Sequence, residues 1–309
     1  MAPLIGFEAI FLPIRQTARI LRPFQYLVTG LKTLSLLKSR RPRVIWVQLP
    51  QVPLLTVALR YKTVVDPTVR IIADCHNRIL NPPWSNWPGL GSQLNACDVV
   101  VVHNTAVMPK VSAMGVRPDL LRLLEDPPAT IHPDPVATPA FPRPWVLFLA
   151  SFNPDEPVAE LFEAARLSPK INFVLAGDAK RAVGRHNIAE RPRNVILPGY
   201  LSGADLDSAI CSADAVLALT KLRDAQLSSA GEAIGAGRPM VLSDTPVTRD
   251  LYYKGGIFVD TNSPVSIAAG CEAAIQEGLR LASEAVELCE ERYARWRSQV
   301  EAIGDVLIR

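Results

Sequence analysis

The sequence lacks the compositional signatures that assign a chain directly to a class of protein. Its five cysteines are odd in number and widely spaced, without a C-x-x-C pair, which argues against a disulfide framework or a metal site and favours buried thiols in a reducing compartment. Aromatic residues make up only 6%, and the net charge of +3 is too small to indicate a nucleic-acid partner. With 49% hydrophobic and 20% charged residues, the composition is that of an ordered globular protein.

Targeting segments and the common nucleotide-binding motifs are missing as well. The start, MAPLIGFEAIFLP, has no basic n-region, and Glu8 interrupts an apolar stretch that is too short to span a bilayer. No G-x-G-x-x-G motif follows a predicted strand, and no Walker A lysine motif occurs. We therefore expect a cytoplasmic protein without a signal peptide or membrane anchor, outside the dinucleotide-binding and P-loop classes.

Short runs of apolar residues recur along the chain and predict parallel α/β sheets. Most of these runs are continuous rather than alternating, and many of the segments between them are long enough for a helix, as expected for strands buried on both faces. The predicted strands are FEAIFL, RVIWVQ, VRIIAD, DVVVVH, LLRLL, WVLFLA, INFVLAG, NVILPG, DAVLALT, PMVLSD and GIFVD.

A proline-rich stretch predicts where the chain divides. Residues 132–144, HPDPVATPAFPRP, contain five prolines and interrupt the strand series, which indicates an interdomain linker. The length of 309 residues suits two domains. We expect a first Rossmann-like domain over residues 1–135 and a second over 136–284, with a helix over about 285–309 that packs back on the first domain.

The segment between Arg15 and Arg43 is basic and leucine-rich. It holds eight Lys or Arg residues and no acidic residue, interleaved with apolar side chains such as Leu27 and Leu31. This pattern is typical of an amphipathic helix on an anionic membrane surface, which would make the protein peripheral on the inner face of the cell membrane. An ordinary domain helix whose basic side chains face water explains it equally well.

The most informative segment lies between Asp214 and Asp244, where a strand, a loop, a helix and a second strand are predicted. Ser228 and Ser229 are favourable N-cap residues, and the free amides after them are suited to a phosphate. The small residues of SSAGEAIGAG would let a ligand approach the backbone. Glu232 then serves either as a ligand-binding carboxylate or as a residue that stabilises the helix amino end.

The spacing of this segment resembles the donor-binding signature of the GT-B glycosyltransferases (family 4-like). Asp224 is followed after seven residues by Glu232, and A-x-x-x-G-x-P then begins at Ala233, with Asp224 standing where the family usually has Glu. FLASFNPDEPVAELFEAARL, FVLAGD and VILPGYLS resemble other parts of the same domain. RVIWVQLPQVP, IIADCHN and LLEDPP look like the branch that contains the dolichol-linked β-mannosyltransferase and its bacterial relatives.

The resemblance implies two Rossmann-like domains that face each other across a cleft, with a nucleotide sugar as co-substrate in the second domain and no further cofactor. Glu232 would hold ribose or sugar hydroxyls, Asp224 the hexose, and the 228–231 amides the diphosphate. The implied donor-site residues are Ser151, Gly177, Gly199, Tyr200, Leu201, Lys221, Arg223, Asp224, Ser228, Ser229, Ala230, Gly231 and Glu232.

Two departures from the family pattern stand out. The loop after the first strand of the second domain, SFNPDEP, carries acids where many relatives have a basic pair, and the family's opening strand and glycine-rich loop have no counterpart at the start of this chain. The diphosphate charge would then be met by Lys221, Arg223, Lys180 or Arg181, by helix-end amides, or by a divalent metal, whose requirement stays open.

In the first domain, the candidate catalytic residues are Asp74, His76 and Asp126. DCHN closes a predicted strand, which would place Asp74 and His76 at the cleft, and any of the three could act as a general base if transfer inverts. His103 ends the next strand and ranks lower. The tryptophans of NPPWSNWPGLG would stack on an acceptor sugar, enter the membrane interface, or pack under their loop.

These observations predict a glycosyltransferase that moves a hexose from a UDP- or GDP-sugar to a lipid-linked saccharide or glycan acceptor at the membrane surface, during polysaccharide assembly. Two alternatives remain open. One is a non-catalytic GT-B-like binding subunit of a glycosyltransferase complex, suggested by the two departures. The other is a nucleotide-sugar epimerase of the same architecture.

Overall fold

A computed structural model describes residues 2–12, 22–132 and 141–308. The chain divides into two compact units: unit 1 comprises residues 1–126 and 296–309, and unit 2 comprises residues 127–295. The boundary predicted after residue 135, and most of the proline-rich stretch, fall outside the described residues. Arg15 and Arg19 of the basic segment also fall outside them.

Unit 1 contains a parallel sheet with the strand order β1-β2-β3-β4. Helices connect its strands, as the continuous apolar runs predicted. The elements are α1 (Arg22–Arg40), β1 (Val44–Gln48), α2 (Val52–Val64), β2 (Arg70–Cys75), α3 (Leu90–Asn95), β3 (Val99–Val102), α4 (Met108–Ser112) and β4 (Leu121–Leu123).

Unit 2 contains a second parallel sheet with the strand order β7-β6-β5-β8-β9-β10. The elements are β5 (Trp145–Leu149), α5 (Val158–Leu167), β6 (Asn172–Ala176), β7 (Val195–Gly199), α6 (Ala204–Ser212), β8 (Ala215–Ala218), α7 (Ser228–Gly235), β9 (Met240–Ser243), α8 (Pro246–Leu251), β10 (Gly256–Val259), α9 (Pro264–Gln276) and α10 (Gly278–Ile308). From Trp296 onward, α10 belongs to unit 1, where Gln299 accepts a hydrogen bond from the backbone N–H of Glu125 at 2.9 Å.

The strand order of unit 2 reverses direction between β5 and β8. Chain order runs outward from β5 to β7 on one side and from β8 to β10 on the other, which is the doubly wound arrangement of Rossmann folds. Ligands of such sheets bind beyond the carboxyl ends of the strands at this switch point. The loops after β5 and β8 are therefore where a ligand of unit 2 is expected.

The continuous apolar runs are explained by burial on both faces of each sheet. Every residue of β3 is buried, and β2 is buried from Ile71 to Cys75. The predicted strand FEAIFL is wrong, because residues 7–12 are irregular. Only Phe7 finds a ring partner there, Trp46, whereas Phe11 is 87% exposed, so this segment cannot bury a strand face.

The glycines of SSAGEAIGAG have a structural reason that the sequence did not reveal. A Cβ on Gly235 would lie 2.1 Å from the carbonyl oxygen of Ala129, so the chain after unit 1 packs directly on the α7 backbone. The amide of Ala129 donates to the carbonyl of Gly231 at 3.2 Å. Gly237 has a φ of +59°, a left-handed conformation that favours glycine. At Gly235 and Gly237, the atoms that closely approach the backbone therefore belong to the protein itself rather than to a ligand.

We predict that Gly235→Ala lowers the free energy of unfolding by about 1–3 kcal/mol, because a methyl group at this position overlaps the Ala129 backbone. The matched control is Gly231→Ala, four residues earlier on the same helix, where the nearest atom to a new Cβ is the Tyr252 hydroxyl at 3.9 Å. Urea unfolding followed by circular dichroism measures both. Equal midpoints for the two variants would contradict the packing described here.

Candidate active site

A hydrogen-bonded cluster of carboxylates and imidazoles lies at the carboxyl ends of β2 and β3 in unit 1. Asp74 is buried on β2, and its Oδ1 lies 2.6 Å from Nε2 of His103, the residue after β3. Its Oδ2 accepts the indole N–H of Trp46 at 2.9 Å. His103 Nδ1 is 3.5 Å from Oδ1 of Asp126. Parallel strands bring these residues together because their carboxyl ends share one sheet edge.

The cluster changes the acid–base properties of its two buried members in opposite directions. Burial by itself raises the pKa of Asp74, but the hydrogen bonds and charges of His103 and His76 outweigh it and hold that pKa well below its usual range. Burial lowers the pKa of His103, yet the hydrogen bond and charge of Asp74, with the charge of Asp126, raise it on balance. Asp74 is therefore the ionised partner of a buried pair and a poor proton acceptor.

Two members of the cluster are accessible, His76 and Asp126, with side chains 36% and 46% exposed. His76 Nε2 lies 3.5 Å from Asp74 Oδ1 and 3.0 Å from Gln48 Nε2. Its ring stacks on that of His103 with 4.2 Å between centroids. The amide nitrogen of Gln48 can only donate, so His76 Nε2 accepts from it and is the basic nitrogen of the neutral ring. From the sequence, His103 ranked below these residues as a catalytic candidate. Its position after a strand parallel to β2 was the signal that could have identified it.

The same three side chains are the candidate metal ligands of unit 1. One ligand atom each from Asp74, His76 and His103 lies within 4.8 Å of the others. Two ligands of one tetrahedral zinc ion, each about 2.1 Å from it, are about 3.4 Å apart. Asp74 Oδ1 and His103 Nε2 are only 2.6 Å apart, so the arrangement as it stands is that of a hydrogen-bonded pair.

In unit 2, the acids of SFNPDEP have internal partners at the switch point. The carboxylate of Glu156 accepts the backbone N–H groups of Ser151 and Phe152 at 3.0 and 2.7 Å. Burial raises the pKa of Glu156. Asp155 accepts the Thr220 hydroxyl at 2.8 Å, which ties the loop after β5 to the loop after β8. The amide of Ser151, a candidate donor-site residue, is thus already bonded within its own loop.

The predicted cations of unit 2 are not equally available. Lys221 pairs with Glu160 of α5 at 2.6 Å, so its ammonium group is already neutralised, contrary to its expected role beside a diphosphate. The backbone N–H of Lys221 donates to the carbonyl of Asp155. Arg223, Lys180 and Arg181 are exposed. These three side chains, the helix-end amides and a divalent metal remain as the predicted ways of neutralising a diphosphate.

Glu232 lies in α7 with one carboxylate oxygen buried and unsatisfied. Among the described residues, none hydrogen-bonds its Oε2, while the side chain as a whole is half-buried. Burial, and after it the charge of Asp207, raise the pKa of this carboxyl. A buried acceptor without a donor costs free energy unless a ligand supplies one. This favours the ligand-binding interpretation of Glu232 over a role at the helix amino end.

The amino end of α7 differs from the prediction. Its N-cap is Leu227 and no side chain caps the helix, so the expected N-cap role of Ser228 and Ser229 is wrong. Ser228 is exposed, Ser229 and Gly231 are half-buried, and Ala230 is buried. Since no side chain accepts the first amides of the helix, they stay suited to an anionic group. Asp224 is half-buried on the loop that leads into the helix.

The remaining predicted residues lie beyond neighbouring strand ends or under a loop. Gly177 follows β6, where a Cβ would lie 2.0 Å from the Ala150 carbonyl oxygen. Gly199 ends β7 with a φ of +90°, and Tyr200 after it is 76% exposed, with Leu201 half-buried. In unit 1, Trp84 and Trp87 stack on each other and pack against the core, which favours the loop-packing interpretation.

Comparisons with known proteins agree with the fold and with the donor-side motif. Residues 143–277 match the family described as glycosyl transferases group 1. A processive diacylglycerol alpha-glucosyltransferase of Acholeplasma laidlawii is 29% identical over 111 residues, which is 34% of this chain and 33% of that protein. The chain thus matches about a third of that relative's length.

Solved structures extend the likeness over most of the chain. HepE of Anabaena in complex with UDP and glucose has a TM-score of 0.71 at 14% identity, covering 91% of this chain and 81% of that one. Sucrose-phosphate synthase of Thermosynechococcus elongatus has a TM-score of 0.70 at 14% identity, covering 95% and 80%. The predicted α/β fold class of the GT-B type is confirmed, and the match to the glycosyl transferases of group 1 lies within unit 2.

We predict that Asp74→Asn lowers the pKa of His103, because the amide removes the charge that stabilises the imidazolium. The pair stabilises the wild-type fold between the two titrations. The Asp74 contribution is lost as the pH falls through its lowered pKa, and the His103 contribution is lost as the pH rises through its raised one. NMR titration of labelled imidazoles measures the change, with exposed His132 as internal reference. An unchanged His103 pKa would refute the assigned pairing.

Proposed function

We propose that the protein is a glycosyltransferase that moves a hexose from a UDP- or GDP-sugar to a lipid-linked saccharide or glycan acceptor at the cytoplasmic membrane surface. The observation that carries the proposal is the buried, unsatisfied oxygen of Glu232 beside the switch point of unit 2. The family match of residues 143–277 includes this segment. A sugar or ribose hydroxyl is the donor that this oxygen lacks.

The donor is bound by unit 2 in this proposal. Glu232 accepts a hydroxyl of the nucleotide sugar, and Asp224 accepts one from the hexose. The diphosphate lies at the first amides of α7, where no side chain competes for them. Arg223 adds positive charge from the loop before the helix. Tyr200 and its neighbours after β7 contact the base.

The acceptor hydroxyl is activated by unit 1. His76 takes the proton at Nε2, which lies 3.5 Å from Asp74 Oδ1, and the Asp74 carboxylate stabilises the imidazolium that forms. Asp74 itself is held in place by His103 and Trp46. Asp126 contributes negative charge next to His103. This assignment requires an inverting reaction, since a retaining enzyme would not need a base at this position.

The acceptor and the membrane association are supported by two observations. The relative from Acholeplasma is a diacylglycerol glucosyltransferase, which acts on a lipid. Helix α1 is basic near its carboxyl end, with Lys38 and Arg40, and exposes apolar side chains. In the described part of the chain, no helix is long and apolar enough to cross a bilayer. The first-domain motifs around IIADCHN and LLEDPP support a relationship to the β-mannosyltransferase branch.

A second candidate is a binding subunit without turnover. Glu156 occupies the amides of Ser151 and Phe152, and Lys221 is neutralised by Glu160, so unit 2 has less positive potential at the switch point than a diphosphate site usually requires. Such a subunit would bind a nucleotide sugar without transferring it. Product formation by the purified chain distinguishes the two candidates.

Glu232→Gln is expected to weaken binding of UDP- or GDP-sugar by about 10- to 150-fold, the loss of a hydrogen bond to a charged acceptor. Because the ionised carboxylate is the acceptor and its pKa is raised, wild-type affinity should fall at a higher pH than an ordinary Glu would give. Isothermal calorimetry over a pH series measures both effects. The control is Glu190→Gln, an exposed acid of the same unit. If Glu232→Gln bound as tightly as the control, the donor-site assignment would fail.

His76→Gln is expected to lower kcat by about 10²- to 10⁴-fold while leaving the affinity for the nucleotide sugar unchanged, because unit 2 binds the nucleotide sugar in this proposal. His132→Gln is the control, since His132 is exposed and engages its partner through its backbone N–H. Radiolabelled sugar transfer to membrane extracts measures the rate. Normal turnover by His76→Gln would exclude it as the base.

A further inference from the structure

A cavity of unit 1 adjoins the hydrogen-bonded cluster, and its apolar part has no role in the donor site or in the proton transfer proposed above. Its volume is about 540 Å³, within the range of pockets that enclose a small-molecule ligand. Residues of the segment 5–12, of helix α1, of strand β1 and of the start of α2 line most of it.

The lining of this pocket combines apolar and polar side chains. Apolar side chains line most of it, among them Ile5, Phe7, Leu12, Trp46 and Leu54. The polar part of the lining is the hydrogen-bonded cluster, with Asp74, His76, Asp126 and Gln48. A ligand that matches both parts is an amphiphile with a hydrocarbon chain and a hydroxyl at its head.

The surroundings of the pocket mouth are apolar as well. Ile10 and Phe11 line the pocket and are also exposed, Phe11 by 87%. On the face of α1 turned away from the pocket, Phe24, Leu27 and Leu31 are 60–66% exposed at helical spacing. A contiguous set of exposed apolar side chains is unusual on a soluble surface, and it matches contact with a bilayer from which a lipid is drawn.

Helix α1 contributes to both the pocket and the exposed apolar surface. Tyr26, Thr29 and Thr33 line the pocket, whereas Leu37 is buried against Tyr61 and Val69 and anchors the helix to the unit. The residues toward the pocket are smaller or less apolar than those facing outward, which leaves space under the helix. The Thr33 hydroxyl donates to the Thr29 carbonyl, so it places no unsatisfied polar group in the pocket.

We infer that this pocket binds the hydrocarbon chain of the acceptor lipid, with the lipid's hydroxyl end against Asp74 and His76. The inference rests on the proposed function, because it assigns the acceptor class to the same cluster. It adds that the protein recognises the length of the hydrocarbon chain as well as the head group of the lipid. Affinity for an acceptor should therefore rise with chain length, by about fourfold for each methylene buried.

Quenching of Trp46 fluorescence tests the inference as a binding measurement that does not depend on catalytic turnover. Trp46 lines the pocket, whereas Trp84, Trp87, Trp145 and Trp296 do not. Monoacylglycerols brominated at the chain end, added to the full-length protein below their micelle concentration, should quench fluorescence saturably, with affinity rising along a chain-length series. Trp46→Phe should abolish the saturable component. Absence of saturation, no dependence on chain length, or persistence in Trp46→Phe would overturn the inference.

A pocket-filling variant provides the second measurement. Thr29→Phe should weaken binding of the longest probe at least tenfold, whereas Ser35→Phe, exposed on the same helix, should not. Equal losses in both variants would overturn the inference. Calorimetry with UDP and with GDP separates the two proposals. If chain binding fails while either nucleotide still binds, the pocket assignment alone is removed, and if neither nucleotide binds, the proposed function is removed.

Discussion

The parallel pairing of the strands is the constraint on which the candidate site depends. Each paired strand in the described sheets runs in the same direction as its neighbours, so all carboxyl ends of a sheet share one edge. Residues that are 29 positions apart, such as Asp74 and His103, therefore come within hydrogen-bonding distance. In unit 2, the same constraint joins the loops after β5 and β8 through Asp155 and Thr220. Chemistry concentrates at these edges because central strands such as β3, β8 and β9 are buried along their whole length.

Within each edge, pairing decides which polar groups are available. Asp74 and His103 stabilise each other's charged forms, and this leaves His76 and Asp126 as the exposed groups of their cluster. Glu156 and Lys221 are similarly engaged with partners inside unit 2. Glu232 keeps one buried oxygen without a partner in the described residues. The functional assignment follows from this difference between satisfied and unsatisfied groups.

Much of the fold could be predicted because parallel strands have a simple sequence signature. Val99–Val102 and Ile71–Cys75 are continuous apolar runs, and both are buried strands. The signature fails at FEAIFL, which has comparable hydrophobicity but no neighbouring strand to pair with. Strand formation there depends on a partner, and a partner is a property of the assembled sheet. The N-cap predicted at Ser228 is wrong by one residue, because the observed N-cap of α7 is Leu227.

The sequence by itself determined the α/β class, the order of the motifs and the residue types at the strand ends, because these depend on local hydrophobic patterns and on spacing along the chain. Only the tertiary structure decided which of those residues meet. His103 hydrogen-bonds Asp74, the Ala129 backbone packs against Gly235, and Lys221 forms a salt bridge with Glu160. Each of these is a contact between distant positions, and the free energy of such a contact depends on burial and distance that exist only once the chain has folded.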